Sequence, residues 1–95
     1  PFEAVIVEID GHKNKDVRSH SNEIYSLLKN SKKNIIYDDR EASFGNKMKD
    51  WELIGIPHMI IIGNNEAKNK TVTYRSRTEN AKSEIKIEDI ADKIN

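Results

Sequence analysis

Asp38-Asp39-Arg40 sets two carboxylates and a guanidinium side by side. Paired carboxylates suggest acid–base or metal chemistry, yet neighbouring residues at a strand end point to opposite faces, so the two rarely serve one reaction centre. The expected arrangement has one Asp anchoring Arg40 or capping the loop and the other facing a ligand. Arg40 has two readings. It is half of a surface ion pair, the commonest fate of an exposed arginine and worth little energy, or its planar five-donor fork reads guanine or clamps a phosphate. Composition alone favours the ion pair.

The other chemically capable residues are spread out. His12, His20 and His58 fall in a loop, a helix and beside a proline, without the ligand spacing of a zinc site. The chain has no G-x-S-x-G, no G-x-G-x-x-G and no G-x-x-x-x-G-K-[ST], which disfavours nucleophile-elbow and phosphate-loop enzymes. Trp51, the sole tryptophan, could stack on a splayed base, but beside Leu53 and Ile54 it reads as a core anchor. Phe44 belongs to no periodic apolar face and is the better stacking candidate. Lys47, Lys49, Arg75 and Arg77 could converge on one sheet edge, against the plainer reading of a solvated mixed-charge surface.

The chain that must position these groups has 95 residues, enough for one domain with one modest core. Sixteen basic and sixteen acidic side chains give a net charge of zero, so the uniformly basic surface of a non-specific nucleic-acid binder is absent and any RNA contact must be local. Without cysteine there are no disulfides and no thiolate metal sites. No stretch is long and apolar enough for a membrane span, and no secretory pattern opens the chain, so a cytoplasmic setting is expected. The first residue is Pro, and a piece of a longer protein is expected.

The apolar pattern predicts the elements. Residues 3–9 read as a buried central strand. Residues 16–30 carry Val17, Ile24, Leu27 and Leu28 at helical spacings, with Asp16 as the N-cap. Residues 33–38 form a short strand ending in Asp38-Asp39-Arg40, where open α/β sheets place their binding loops. Residues 46–54 form a helix burying Met48, Trp51, Leu53 and Ile54, stopped by Gly55-Ile56-Pro57. Residues 59–62 and 70–76 form a hairpin around a Gly63-Asn64-Asn65 turn, residues 79–83 a polar bend, and residues 87–94 a closing amphipathic helix. The order β-α-β-α-β-β-α predicts an α/β chain: a three-layer α/β/α sandwich with a mixed, mainly parallel sheet of four to five strands.

The whole chain resembles the anticodon-binding domain shared by the prolyl-, threonyl-, glycyl- and histidyl-tRNA synthetases. The specific resemblance is to the bacterial prolyl type. It rests on Pro1-Phe2-Glu3-Ala4-Val5-Ile6, Tyr25-Ser26-Leu27-Leu28, Asp38-Asp39-Arg40, Gly45-x-Lys47, Asp50-x-Glu52-Leu53-Ile54-Gly55-Ile56-Pro57-His58, Gly63 and Tyr74-x-x-Arg77. Asp38-Asp39-Arg40 followed at this distance by D-x-E-L-I-G-I-P-H is a specific signal; the tripeptide alone is not. The chain departs from the pattern at Phe44, where proline is usual.

The resemblance implies a non-catalytic module that grips the anticodon stem-loop of the proline tRNA, whose anticodons share two guanines. It implies a parent ligase whose ATP, Mg2+ and proline chemistry resides in a separate catalytic domain, with no cofactor and no metal in this module. It further implies an RNA-binding set of Asp39, Arg40, Phe44, Lys47, Glu66 and Arg75, the last two by likeness to the threonyl relatives. A dimeric parent and a monomeric isolated module are expected. The alternatives are the anticodon domain of another class II synthetase, a free-standing accessory or interaction paralogue without RNA binding, and a small flavodoxin-like domain.

Overall fold

A computed structural model of the protein describes residues 2–79 and 81–94; Pro1 of the opening motif lies outside them. The elements run β1 (Ala4–Glu8), α1 (Lys15–Asn30), β2 (Ile35–Asp38), α2 (Phe44–Ile54), β3 (His58–Ile62), α3 (Asn64–Asn69), β4 (Thr71–Ser76) and β5 (Lys82–Lys86), followed by a 3-10 turn (Ile87–Asp89) and α4 (Ile90–Lys93). The strands form one sheet in the order β2-β1-β3-β4-β5. Helical crossovers make β2-β1 and β1-β3 parallel, whereas β3-β4 and β4-β5 are antiparallel. The expected mixed α/β sandwich is present, but the sheet is evenly mixed rather than mainly parallel, because β5 adds a second antiparallel ladder.

Period-two alternation divides the core into two layers. Ala4, Ile6, Ile35, Ile60, Ile62 and Val72 face α1 and α4, which contribute Val17, Ile24, Leu28 and Ile90, with Ile94 just after α4. Val5, Val7, Met59 and Ile61 face α2, which contributes Met48 and, partly buried, Phe44 and Trp51. Each fully buried Ile or Leu is worth about 1.5–3 kcal/mol over an exposed one, so the α1 face anchors the fold. On the opposite face one helix covers the parallel strands and leaves β4 and β5 open.

The local chemistry explains the boundaries. Asn14, not Asp16, caps α1: its side chain accepts from the Asp16 and Val17 amides at 3.0 and 3.2 Å. Asp16 sits in the first turn, where its charge suits the helix dipole. Ser43 Oγ accepts the Asn46 amide at 3.2 Å, so α2 starts at Phe44, two residues earlier than periodicity indicates. Gly55 ends α2 at φ +77°, a left-handed conformation that glycine adopts without steric cost.

Four further expectations are corrected. Gly63-Asn64-Asn65 is not a simple turn but opens α3, a polar helix too short to show periodicity. Of the bend expected over residues 79–83, Asn80 lies outside the described residues, and Lys82 and Ser83 belong to β5, whose sequence KSEIK is charged as sheet edges commonly are. The closing helix expected over residues 87–94 is reduced to the 3-10 turn and α4. On α2, Leu53 and Ile54 are 80% and 66% exposed instead of buried.

Candidate nucleic-acid interface

The sequence-selected residues fall in two places, one on each side of α2. At the end of β2, Asp38 is buried while Asp39 and Arg40 are exposed. Arg40 Nε and Nη2 donate to the Asp38 carboxylate at 2.8 and 2.9 Å, Arg40 Nη1 donates to Asp50 Oδ2 at 3.0 Å, and Trp51 Nε1 donates to Asp38 Oδ2 at 2.7 Å. Burial works to raise the Asp38 pKa, but the Arg40 and Trp51 hydrogen bonds outweigh it and hold the carboxyl at about 2. Both carboxylates in turn push the Arg40 guanidinium up from its ordinary value. Arg40 is thus an ion-paired arginine, the reading composition favoured, in a clamp that joins the end of β2 to α2.

Lys47 goes inside. It is 1% exposed, and Nζ donates to the main-chain carbonyls of Glu8 at 2.8 Å and Asp38 at 3.3 Å. These carbonyls end two parallel strands, so a single ammonium ties β1, β2 and α2 together. In this arrangement Lys47 offers nothing to a ligand. Phe44 packs against the Val5, Val7 and Met48 cluster, leaving its ring only partly exposed.

On the other side of α2 lies a cleft of about 190 Å3 lined by Trp51, Glu52, Gly55, Ile56, Met59, Arg75, Ser76 and Arg77. Ile56 and Met59 are buried and form its apolar base. Arg75 stands on β4 opposite Met59, and its Nη2 meets Glu52 Oε2 at 3.1 Å. Arg77 donates to the Gly55 carbonyl at 2.9 Å and thereby closes the C-terminal end of α2. Thr73 shares the Arg75 face of β4, and its hydroxyl donates to Glu66 Oε2 at 2.6 Å. Glu66 Oε1 accepts the Gly63 amide at 2.8 Å. The fold therefore gathers Arg75 and Glu66 along one open sheet face, and keeps Asp39 and Arg40 apart from them.

The cleft offers an apolar base, an indole wall, an acceptor and a fork of donors, which suits a flat heteroaromatic ring with a polar edge. A family model described as the anticodon binding domain matches residues 3–95. The chain belongs to the anticodon-binding domain family of the class II aminoacyl-tRNA synthetases. This anticodon-binding domain accordingly serves a ligase family, and its partner is tRNA.

Sequence reasoning did not single out Glu52, and it weighed base stacking by Trp51 but favoured the core; both side chains line the cleft. Glu52 stands within the D-x-E-L-I-G-I-P-H motif, but no helical periodicity marks it. Only the pairing of Met59 with Arg75 across β3 and β4 brings the Arg75 guanidinium to it. The histidines sit apart. His12 is exposed in the β1–α1 loop, His20 is buried in α1 with Nε2 donating to the Thr71 carbonyl at 2.7 Å, and His58 Nδ1 lies 2.6 Å from the Tyr74 hydroxyl.

Proposed function

We propose that the domain reads the guanines of the proline anticodon, and that the cleft between α2 and β4 receives one of them. The observation that carries this is the Glu52–Arg75 pair at 3.1 Å over an apolar base. Guanine presents N1–H and N2–H donors on one edge and O6 and N7 acceptors on another. A carboxylate and a guanidinium complement these edges together. Without RNA the two side chains satisfy each other. A guanine entering between them replaces that ion pair with hydrogen bonds on both sides. Adenine sets its N1 acceptor against Glu52 and its N6 donor group toward Arg75, so both charges lose their partners.

The prolyl assignment is supported by Asp50-x-Glu52-Leu53-Ile54-Gly55-Ile56-Pro57-His58, which resembles the bacterial prolyl pattern and supplies the wall, acceptor and base of this cleft. Glu66 and Thr73 continue the polar track along β4 for a neighbouring nucleotide, and Asp39 is exposed at the end of β2. ATP and proline activation belong, in this reading, to a catalytic domain of the parent enzyme.

The test is binding of this chain to a proline anticodon stem-loop and to variants in which either shared guanine is replaced by adenine or inosine, at two salt concentrations. Loss of affinity on replacement of one guanine, cancelled in Glu52→Gln and Arg75→Ala, is the expected result. The discrimination at stake is about 1–3 kcal/mol per base. Equal, steeply salt-dependent binding to every stem-loop would refute base reading and leave only phosphate attraction.

A further inference from the structure

The last turn of α2 carries Glu52, and burial holds that turn only through the partly buried Trp51. The buried residues of α2 are Lys47 and Met48, in its first half, while Glu52, Leu53 and Ile54 are exposed. Polar bonds add to this packing. The Asp38 carboxylate, buried at the end of β2, accepts the Trp51 indole N–H at 2.7 Å and two Arg40 donors at 2.8 and 2.9 Å, and Arg40 reaches on to Asp50 at 3.0 Å. Two successive residues of α2, Asp50 and Trp51, are therefore tied to β2 immediately before Glu52. Trp51 is at once the far end of this clamp and a wall of the cleft.

We propose that Asp38 is a positioning residue for guanine reading: through Trp51 and Arg40 it sets the indole wall and the Glu52 carboxylate of the cleft. This rests on the cleft reading above. It gives the Asp38-Asp39-Arg40 motif a role in base selection without contact with the base. A carboxylate suits the role because two oxygens accept from an indole and a guanidinium together. An amide there turns its NH2 toward one of those donors and breaks at least one bond.

The decisive experiment measures the affinity ratio of this chain for the guanine stem-loop over the same stem-loop with inosine, which lacks only the 2-amino group. The ratio is compared among wild type, Asp38→Asn, Trp51→Phe, the double variant, Glu52→Gln and Ile24→Val. The indole N–H NMR resonance of the sole tryptophan is followed wherever Trp51 is present. Asp38→Asn is expected to cut the guanine preference by about tenfold and to shift the indole resonance while the fold persists by circular dichroism. Trp51→Phe keeps an aromatic wall without its N–H and is expected to lose part of the preference, with Asp38→Asn adding little on top. Ile24→Val, a core truncation on the α1 face remote from the clamp, is expected to lower stability and keep the wild-type ratio.

An unchanged ratio in Asp38→Asn, with the preference abolished in Glu52→Gln, overturns the positioning role and leaves the cleft reading standing. Parallel losses in Ile24→Val and Asp38→Asn also overturn it, because stability alone would then explain the effect. A wild-type ratio of one removes the cleft reading, and the positioning role falls with it.

Discussion

Lys47 separates a structural role from an RNA contact, and Lys47→Ala tests which one holds. The side chain is 1% exposed and donates to the Glu8 and Asp38 carbonyls at 2.8 and 3.3 Å. Truncation to Ala removes three buried methylenes, at about 0.8 kcal/mol each. It also strips the donor from two strand-end carbonyls, at about 1–3 kcal/mol for a buried group left unpaired. Relief from burying an ammonium offsets part of this loss. The net destabilisation expected is about 3 kcal/mol, a fall in Tm of roughly 12–24 °C for a domain of this size. Urea unfolding followed by Trp51 fluorescence and circular dichroism measures it, and the dependence of stem-loop affinity on salt is recorded in parallel. The salt slope is expected to stay at its wild-type value, since a buried ammonium neutralises no phosphate. A stability loss below about 1 kcal/mol with a slope reduced by about one would refute the structural assignment and return Lys47 to the RNA surface.

Acid stability should report on Asp38. Its folded pKa of about 2 lies below the ordinary 3.8, so its contribution is full above about pH 4 and is lost as the pH falls toward 2. The shift corresponds to about 2 kcal/mol, and Asp38→Asn should flatten the stability profile in that window. Gly11→Ala should destabilise by about 1–3 kcal/mol, because its Cβ would lie 1.8 Å from the Glu8 carboxyl carbon. That carboxylate cannot swing away freely, being held by Arg18 Nη2 at 2.9 Å and by the Tyr37 hydroxyl; thermal unfolding checks this. Leu53→Ser should change stability by no more than about 0.5 kcal/mol, whereas a core leucine would cost several times more; denaturant midpoints decide.

Much of the architecture was legible in one dimension. β1 opens with the apolar run Ala4 to Val7 because both of its faces are covered, α1 shows a clean helical stripe, and Gly55-Ile56-Pro57 stops α2 by backbone geometry. The elements that were missed carry little pattern. α3 has six residues, and β5 shows its single isoleucine, Ile85, to the core while its other side chains meet solvent. Leu53 and Ile54 misled because an apolar pair at a helix end signals burial only when an element lies opposite that end, and among the described residues none covers them.

For the site, the sequence by itself determined which chemistry was available: a carboxylate-arginine motif, a family pattern, and a neutral chain whose RNA contacts must be local. Tertiary structure decided where each group acts. It drew Lys47 inside to two strand-end carbonyls, locked Arg40 between Asp38 and Asp50, and set Arg75 against Glu52 across the cleft. The physical reason is that burial and partnership depend on register and on which face of the sheet a helix covers. The Met59 to Arg75 pairing joins residues distant along the chain, and no local pattern encodes it.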